Sequence, residues 1–213
     1  MDKAVLVMGA TSGIGSLAMK EALSRGMKVR AFARSAAELE AQPGLEPVPG
    51  DARDAGDVAK ALSGAGAVIY ALGIKERLAM LWDKETLFSD STRVLLEEMP
   101  KAGVKRLVAV TGFGAGRSSK AMSFIEYAGH RAILGKPYAD KDRQEALIVE
   151  SDLDWTIARP VILTNSRKSG KIRVLSDPKS WRNGLISRAD VASYLVDAVE
   201  KDLNIREDVV LAR

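Results

Sequence analysis

The feature that most restricts what this chain can fold into lies near its start. In Gly9-Ala10-Thr11-Ser12-Gly13-Ile14-Gly15 the glycines are spaced four and two apart. The run follows Ala4-Val5-Leu6-Val7-Met8, an unbroken apolar stretch. It precedes a segment with Ile14, Leu17, Ala18 and Ala22 at helical spacing, stopped by Gly26. A strand covered on both faces loses the alternation of apolar and polar residues, so the apolar stretch reads as a buried strand of a parallel sheet. The helical spacing with a terminal glycine reads as an amphipathic helix with a glycine at its C-terminal cap. Each glycine of the turn then has a physical task. Gly9 permits the tight turn, Gly13 leaves the backbone bare for a pyrophosphate, and Gly15 lets the helix pack closely on the strand. Thr11, Ser12, Gly13 and Ile14 surround the helix N-terminus, whose free amides and positive dipole end suit an anion. A strand before and a helix after are the context that separates a dinucleotide-binding loop from an ordinary tight turn.

The same texture continues along the chain. Strands are expected over 28–33, around Val48, over 67–72, 106–110 and 155–158, and at 209–211. A helix is expected over 86–101, with Leu87, Val94 and Leu95 on one face and Pro100 in its last turn. Others follow over 119–135 and from a cap at Asp140 to residue 150, and Ser187 caps the last with Asp190 at the capping-box position. Strands separated by helix-length amphipathic segments imply βαβ units. The expected fold class is therefore α/β, a Rossmann-type doubly wound parallel sheet with helices on both faces. No linker or repeat divides the chain, so 1–213 reads as one domain, with the irregular, basic stretch 161–186 as a small insert on the substrate side.

Composition removes several kinds of chemistry. There is no cysteine among the 213 residues, which excludes disulfides, thiolate nucleophiles and cysteine-built zinc sites. The single histidine, His130, would have to carry any histidine metal site or Ser-His-Asp triad alone; it reads as a surface or capping residue, and no metal is expected. The net charge of +4 comes from 32 basic and 28 acidic residues that are interleaved along the chain. No block of like charges suggests nucleic acid, whereas a cofactor with several phosphates suits a mildly basic surface. No stretch reaches the roughly 18 apolar residues of a membrane span. Asp2 and Gly9 interrupt the apolar start, which argues against a signal peptide. The expectation is a cytoplasmic protein, monomer or homodimer, acting on a small molecule, with no nucleic-acid or membrane partner.

The end of the second strand, Ala33-Arg34-Ser35, bears on the cofactor. No acid stands between residues 29 and 37 to hold the ribose 2′-hydroxyl of NAD. Arg34, with Ser35 beside it, suits a 2′-phosphate instead, so NADP(H) is expected ahead of NAD(H).

Gly9-x3-Gly13-x-Gly15, Gly50-Asp51 after the third strand, Ala71-Leu72-Gly73 closing the fourth and Thr111-Gly112 closing the fifth resemble the short-chain dehydrogenase/reductase superfamily. Lys141-x3-Glu145, Trp155 through Arg159-Pro160, and Ile186-Ser187-Arg188-Ala189-Asp190-Val191-Ala192 are similar to its atypical NAD(P)H-binding branch. That branch holds the biliverdin/flavin reductase-like, isoflavone-reductase-like and NmrA-like proteins. The resemblance implies that Asp51, with Ala52, meets the adenine and that Leu72 and Gly73 line the cofactor with backbone. It also implies that Thr111 faces the nicotinamide, that Lys141 binds the nicotinamide ribose, and that Pro160 and Val161 flank the ring.

The chain departs from the main branch at one point. A tyrosine four residues before the lysine is expected there, but Pro137 holds that position and Tyr138 stands one place off. With a proline before it and Asp140 as the expected cap, Tyr138 is expected to precede the helix and to matter less than Lys141. Simpler readings stand beside these. Arg34 also fits a solvated surface arginine, Asp51 a turn or capping residue, and Lys141 with Glu145 an i,i+4 surface pair. Trp181 with Arg182 fits either a cover for a flat or anionic substrate or a loop anchor. The implied function is NADP(H)-dependent reduction of a small conjugated acceptor, a flavin, quinone, tetrapyrrole or carbonyl. The alternatives are a non-catalytic NADP(H)-binding redox sensor and a nucleotide-sugar epimerase or dehydratase, for which little chain remains after the sixth strand.

Overall fold

The apolar runs become neighbouring strands in the computed structural model, which describes residues 3–73, 86–121 and 138–213. The strands are β1 (Ala4–Met8), β2 (Val29–Ala33), β3 (Leu45–Pro49), β4 (Ala65–Tyr70), β5 (Arg106–Val110) and β6 (Asp154–Pro160). Shorter β7 (Ile162–Thr164), β8 (Arg173–Leu175) and β9 (Leu185–Ser187) follow, then β10 (Glu207–Ala212). The described helices are α1 (Gly13–Ser24), α2 (Ala55–Leu62), α3 (Leu87–Lys101), α4 (138–150) and α5 (Arg188–Glu200). The main sheet runs β3-β2-β1-β4-β5-β6-β10-β8. All of its pairings are parallel except that of β8, which lies antiparallel to β10.

Strand order reverses at β1: the chain proceeds outward to β2 and β3, then returns to lay β4, β5 and β6 on the other side. Such a reversal opens a crevice at the carboxyl ends of the strands, and the glycine turn after β1 lies at its mouth. Successive residues of β1 enter opposite cores. Val5 and Val7 pack with α1 and α5 residues such as Met19, Leu195 and Val199. Leu6 and Met8 pack with Val58, Leu62, Phe88, Leu95 and Ile148 under α2, α3 and α4. Burial on both faces is why the strand shows no alternation in sequence.

The cap expected at Ser187 is present: its Oγ accepts from the Asp190 backbone N at 2.9 Å and donates to Asp190 Oδ2 at 2.7 Å. Two other expectations need correction. Residues 161–186 are not irregular throughout, because β7 pairs with β9 in a separate parallel ribbon and β8 extends the main sheet. Asp140 does not cap its own helix. α4 already includes Tyr138 and Ala139, and the fully buried Asp140 carboxylate accepts from the Phe88 and Ser89 backbone N–H groups at 2.8 and 3.3 Å. It thus terminates α3 across space, where the positive helix end favours an anion. The helix expected over 119–135 falls, beyond a short 3₁₀ turn at Gly116–Ala121, outside the described residues, as does His130. Among the described residues no helix is long and apolar enough to cross a membrane.

Asp140→Ala leaves two buried N–H groups without an acceptor and should cost about 1–3 kcal/mol of stability. Asp140→Asn, which retains an acceptor oxygen, should recover part of that loss. Urea unfolding at neutral pH checks both; an unchanged midpoint in Asp140→Ala would refute the cross-helix cap.

Candidate functional site

Two of the three glycines in the first turn are required by the fold. Gly9 has φ +81°, and a Cβ there would lie 2.6 Å from the Ala71 carbonyl oxygen, while a Cβ on Gly15 would collide with the Gly9 carbonyl. Gly13, at φ +54°, is different: a Cβ there would meet open space. Ser12 makes no side-chain cap for α1, and the first turn carries no acid. Backbone amides at that end are thus left for an external anion, and the residues fit a pyrophosphate. Ile14 packs partly against the core.

Ser35 Oγ donates to Thr11 Oγ1 at 3.0 Å, tying the turn after β2 to the glycine loop and setting exposed Arg34 beside it. Asp51 accepts from Arg53 through Nε at 3.2 Å, Nη2 at 2.9 Å and the backbone N at 2.9 Å. The Arg53 contacts hold its carboxyl below the usual range, with the field of Arg34 adding to them. It does not cap α2; Asp54 does, accepting from Asp57 N at 2.9 Å. Ala52 is buried against the core, half-buried Leu72 lies against Gly9, and Gly73 is exposed beyond it.

A second group gathers at the same sheet edge, where β5, β6 and α4 meet. Phe113 N donates to the Pro160 carbonyl and Val161 N to that of Leu211, at 3.0 and 3.1 Å, so the ends of β5, β6 and β10 lie side by side. Tyr138, Lys141 and Glu145, spaced three and four apart, share one face of α4. This corrects the expectation that Tyr138 lies before the helix. Its phenol reaches the end of β5, since a Cβ on Gly112 would lie 2.7 Å from Oη. Lys141 Nζ donates to the Thr111 carbonyl at 2.6 Å and sits 4.8 Å from the centre of the Phe88 ring. Burial brings the Lys141 ammonium down to about 8, against the opposing pull of Glu145 and Asp140. Burial raises the Tyr138 phenol to about 12, with the charge of Glu145 contributing.

Glu145 is no surface residue, and the reading of an exposed pair with Lys141 is overturned. It is buried, accepts from Thr111 Oγ1 at 2.6 Å, and is gripped by Arg159 through Nε at 3.0 Å and Nη2 at 2.7 Å. Arg159 also reaches Asp208, which Arg117 clasps from the other side. Both guanidiniums lie against the Trp181 ring, at 5.3 and 5.2 Å for Arg117 and Arg159, and Trp181 Nε1 donates to the Leu175 carbonyl at 2.8 Å. Trp181 is therefore a buried anchor for its loop and no cover for a substrate; Arg182 is exposed. The charged chain escaped notice in the sequence, although one signal was present. An arginine inside the apolar run Trp155–Pro160 needs a buried partner. Among the described residues no cluster of three potential metal-ligating side chains occurs.

The contrast between the glycines is testable. Gly13→Val should fold, at a cost of about 1–2 kcal/mol for its left-handed backbone, yet fail to bind a dinucleotide. Gly15→Val should be grossly destabilised with or without ligand. Circular dichroism melting and calorimetric titration with NADPH separate the two; normal affinity in Gly13→Val would remove the loop from the site.

The family described as NAD(P)H-binding matches residues 9–202. Among solved structures, ChuY, an anaerobillin reductase from Escherichia coli O157:H7, superposes with a TM-score of 0.82 at 28% identity, over 98% of this chain and 96% of that one. A short-chain dehydrogenase/reductase from Veillonella parvula, solved in complex with NADP, shares the fold at a TM-score of 0.83 and 16% identity, over 100% and 95% of the two chains. Sterol demethylase protein B of Methylococcus capsulatus is 36% identical over 118 residues, which is 52% of this chain and only 34% of that protein's length. Motif, topology and family match agree, and the chain belongs to the NAD(P)H-binding family.

Proposed function

We propose that the protein is an NADP(H)-dependent reductase acting on a small acceptor of the flavin, quinone, tetrapyrrole or carbonyl kind. The observation that carries this reading is the convergence of Tyr138 and Lys141, from one face of α4, on Gly112 and Thr111 respectively at the end of β5, on the side of the sheet that also holds the glycine loop. The reductase relative and the NADP complex among the structural neighbours support it. When bound, the cofactor supplies the hydride. Gly9, Thr11, Ser12, Gly13 and Ile14 cradle the pyrophosphate, Arg34 and Ser35 take the 2′-phosphate, and Asp51 and Ala52 border the adenine. Leu72, Gly73, Thr111, Pro160 and Val161 line the nicotinamide half, and Lys141 holds its ribose hydroxyls.

Tyr138 is the proton donor of this reading. Its phenol keeps its proton to about pH 12, so at neutral pH the proton-bearing form is the one present and no phenolate is available as a base for oxidising an alcohol. Lys141 is cationic below about pH 8 and neutral above, so its contribution to binding and to charge at the nicotinamide fades as pH rises through that value.

Turnover of NADPH with a panel of quinones, flavins and aldehydes tests the reading; tight NADPH binding without turnover on any of them would favour the sensor. A charge-assisted hydrogen bond contributes roughly 1.5–3 kcal/mol, so NADPH should bind at least about tenfold more tightly than NADH, and Arg34→Ala should erase most of the preference. Equal affinities in the unaltered protein would refute the role of Arg34. Tyr138→Phe should lower kcat by about 10²-fold or more at unchanged NADPH affinity, as removal of a positioned acid does. Lys141→Met should weaken NADPH binding and abolish the decline in kcat/KM above about pH 8. A decline that persists in that variant belongs to another group.

A further inference from the structure

A hydroxyl has one proton to give, and that of Thr111 is committed. Thr111 Oγ1 lies 2.6 Å from Glu145 Oε1, and the same carboxylate receives Arg159 Nε and Nη2 on its two oxygens. A guanidinium only donates, so both Glu145 oxygens accept from Arg159, and the proton of the Thr111–Glu145 bond is the threonine's. The three residues are 4%, 3% and 2% exposed in the order Thr111, Glu145, Arg159.

The carboxylate also has no room to turn away. Arg159 is held from behind by Asp208, and a Cβ on Gly116 would collide with Glu145 Oε2. Gly116 is itself fixed at φ +52°, with its N–H donated to Asp142 Oδ1 at 2.6 Å. What Thr111 Oγ1 can still offer at the end of β5 is lone pairs.

We infer that Glu145 is a positioning residue that makes the Thr111 hydroxyl a hydrogen-bond acceptor, so that the site selects an N–H or O–H donor there and not a bare carbonyl oxygen. The inference rests on the nicotinamide reading above and gives that site a polarity: Tyr138 donates and Thr111 receives. The matching donor is a polar N–H or O–H group, carried either by the nicotinamide carboxamide or by the acceptor beside its reducible centre.

Two matched pairs of probes distinguish these sources. NADP⁺ and its acetylpyridine analogue differ by a carboxamide NH₂ against a methyl group, and are compared by binding alone. Aminonaphthoquinone and menadione differ by an amino against a methyl group, and are compared by kcat/KM with NADPH. The proteins are the unaltered chain, Thr111→Val, Thr111→Ser, Glu145→Gln and the double variant Thr111→Val/Glu145→Gln. In at least one pair the preference for the NH₂ partner should fall about three- to tenfold in Thr111→Val, the value of a neutral hydrogen bond, and survive in Thr111→Ser. Glu145→Gln, which releases the threonine proton, should lower the same preference, and should change it no further once Thr111 is valine.

A fall in the cofactor pair assigns the donor to the carboxamide, and a fall in the quinone pair assigns it to the acceptor. Preferences that are identical in the unaltered chain and Thr111→Val for both pairs overturn the inference, as does a Glu145→Gln effect that persists in the valine background. If Glu145→Gln does not fold, the two Thr111 variants decide, because a merely structural threonine would shift the melting temperature and leave the ratio untouched. An unaltered chain that fails to bind NADP⁺ overturns the reductase reading and this inference with it, whereas NADP⁺ binding with unchanged ratios overturns only the polarity.

Discussion

Arg159 occupies a position in β6 that its neighbours would assign to an aliphatic side chain, and much of the site is arranged around satisfying its charge. Glu145 from α4 and Asp208 from β10 meet it on two sides, Arg117 closes the chain beyond Asp208, and Trp181 lies over both guanidiniums. Removing one partner from such a buried set typically costs about 3–5 kcal/mol, because an unmatched charge is left behind. Replacing the whole set by apolar residues would be far less harmful to stability. The arrangement is better understood through what it fixes: the position of α4 against β5 and β6, and hence the positions of Tyr138 and Lys141. With Glu145 locked, the helix face that carries them has one rotation about its axis.

Tyr138 and Lys141 illustrate how neighbouring groups acquire opposite tendencies from a single environment. Burial disfavours the charged form of each, so the amine gives up its proton more readily and the phenol holds its proton more firmly. Glu145 opposes the first shift and reinforces the second. The outcome is a phenol that stays neutral throughout the physiological range next to an amine whose charge is adjustable near neutrality.

What could be read from the sequence had its causes nearby in the chain. The close approach of Gly15 to Gly9 in the turn after β1 and the Ser187–Asp190 box depend on residues within a few positions of one another, and both emerged as expected. The parallel sheet was legible because strands buried on both faces leave a continuous apolar trace. Asp140 was misread for the complementary reason. It has the composition of a helix cap, but the helix it caps starts about fifty positions earlier, and nothing in local spacing reveals such a partner. Tyr138 is misplaced with it, because a helix capped at Asp140 would leave residue 138 outside, whereas 138 is already helical. Glu145 looked like half of a surface pair because Lys141 stands four residues away, whereas its real partners come from β5 and β6. Local rules recognise the type of interaction a residue makes more reliably than they recognise the partner.

The strand at one boundary of the sheet carries a further consequence. β3 pairs with β2 on its inner side, and two of its five residues, Pro47 and Pro49, have no backbone N–H. An incoming strand would find a ladder with missing rungs along that margin, the kind of interruption that discourages sheets from fusing edge to edge. At the opposite margin the three-residue β8 presents a short border with exposed Arg173. Both margins of the main sheet thus discourage growth without the sheet being rolled into a barrel: one by prolines that remove donors, the other by brevity and an exposed charge.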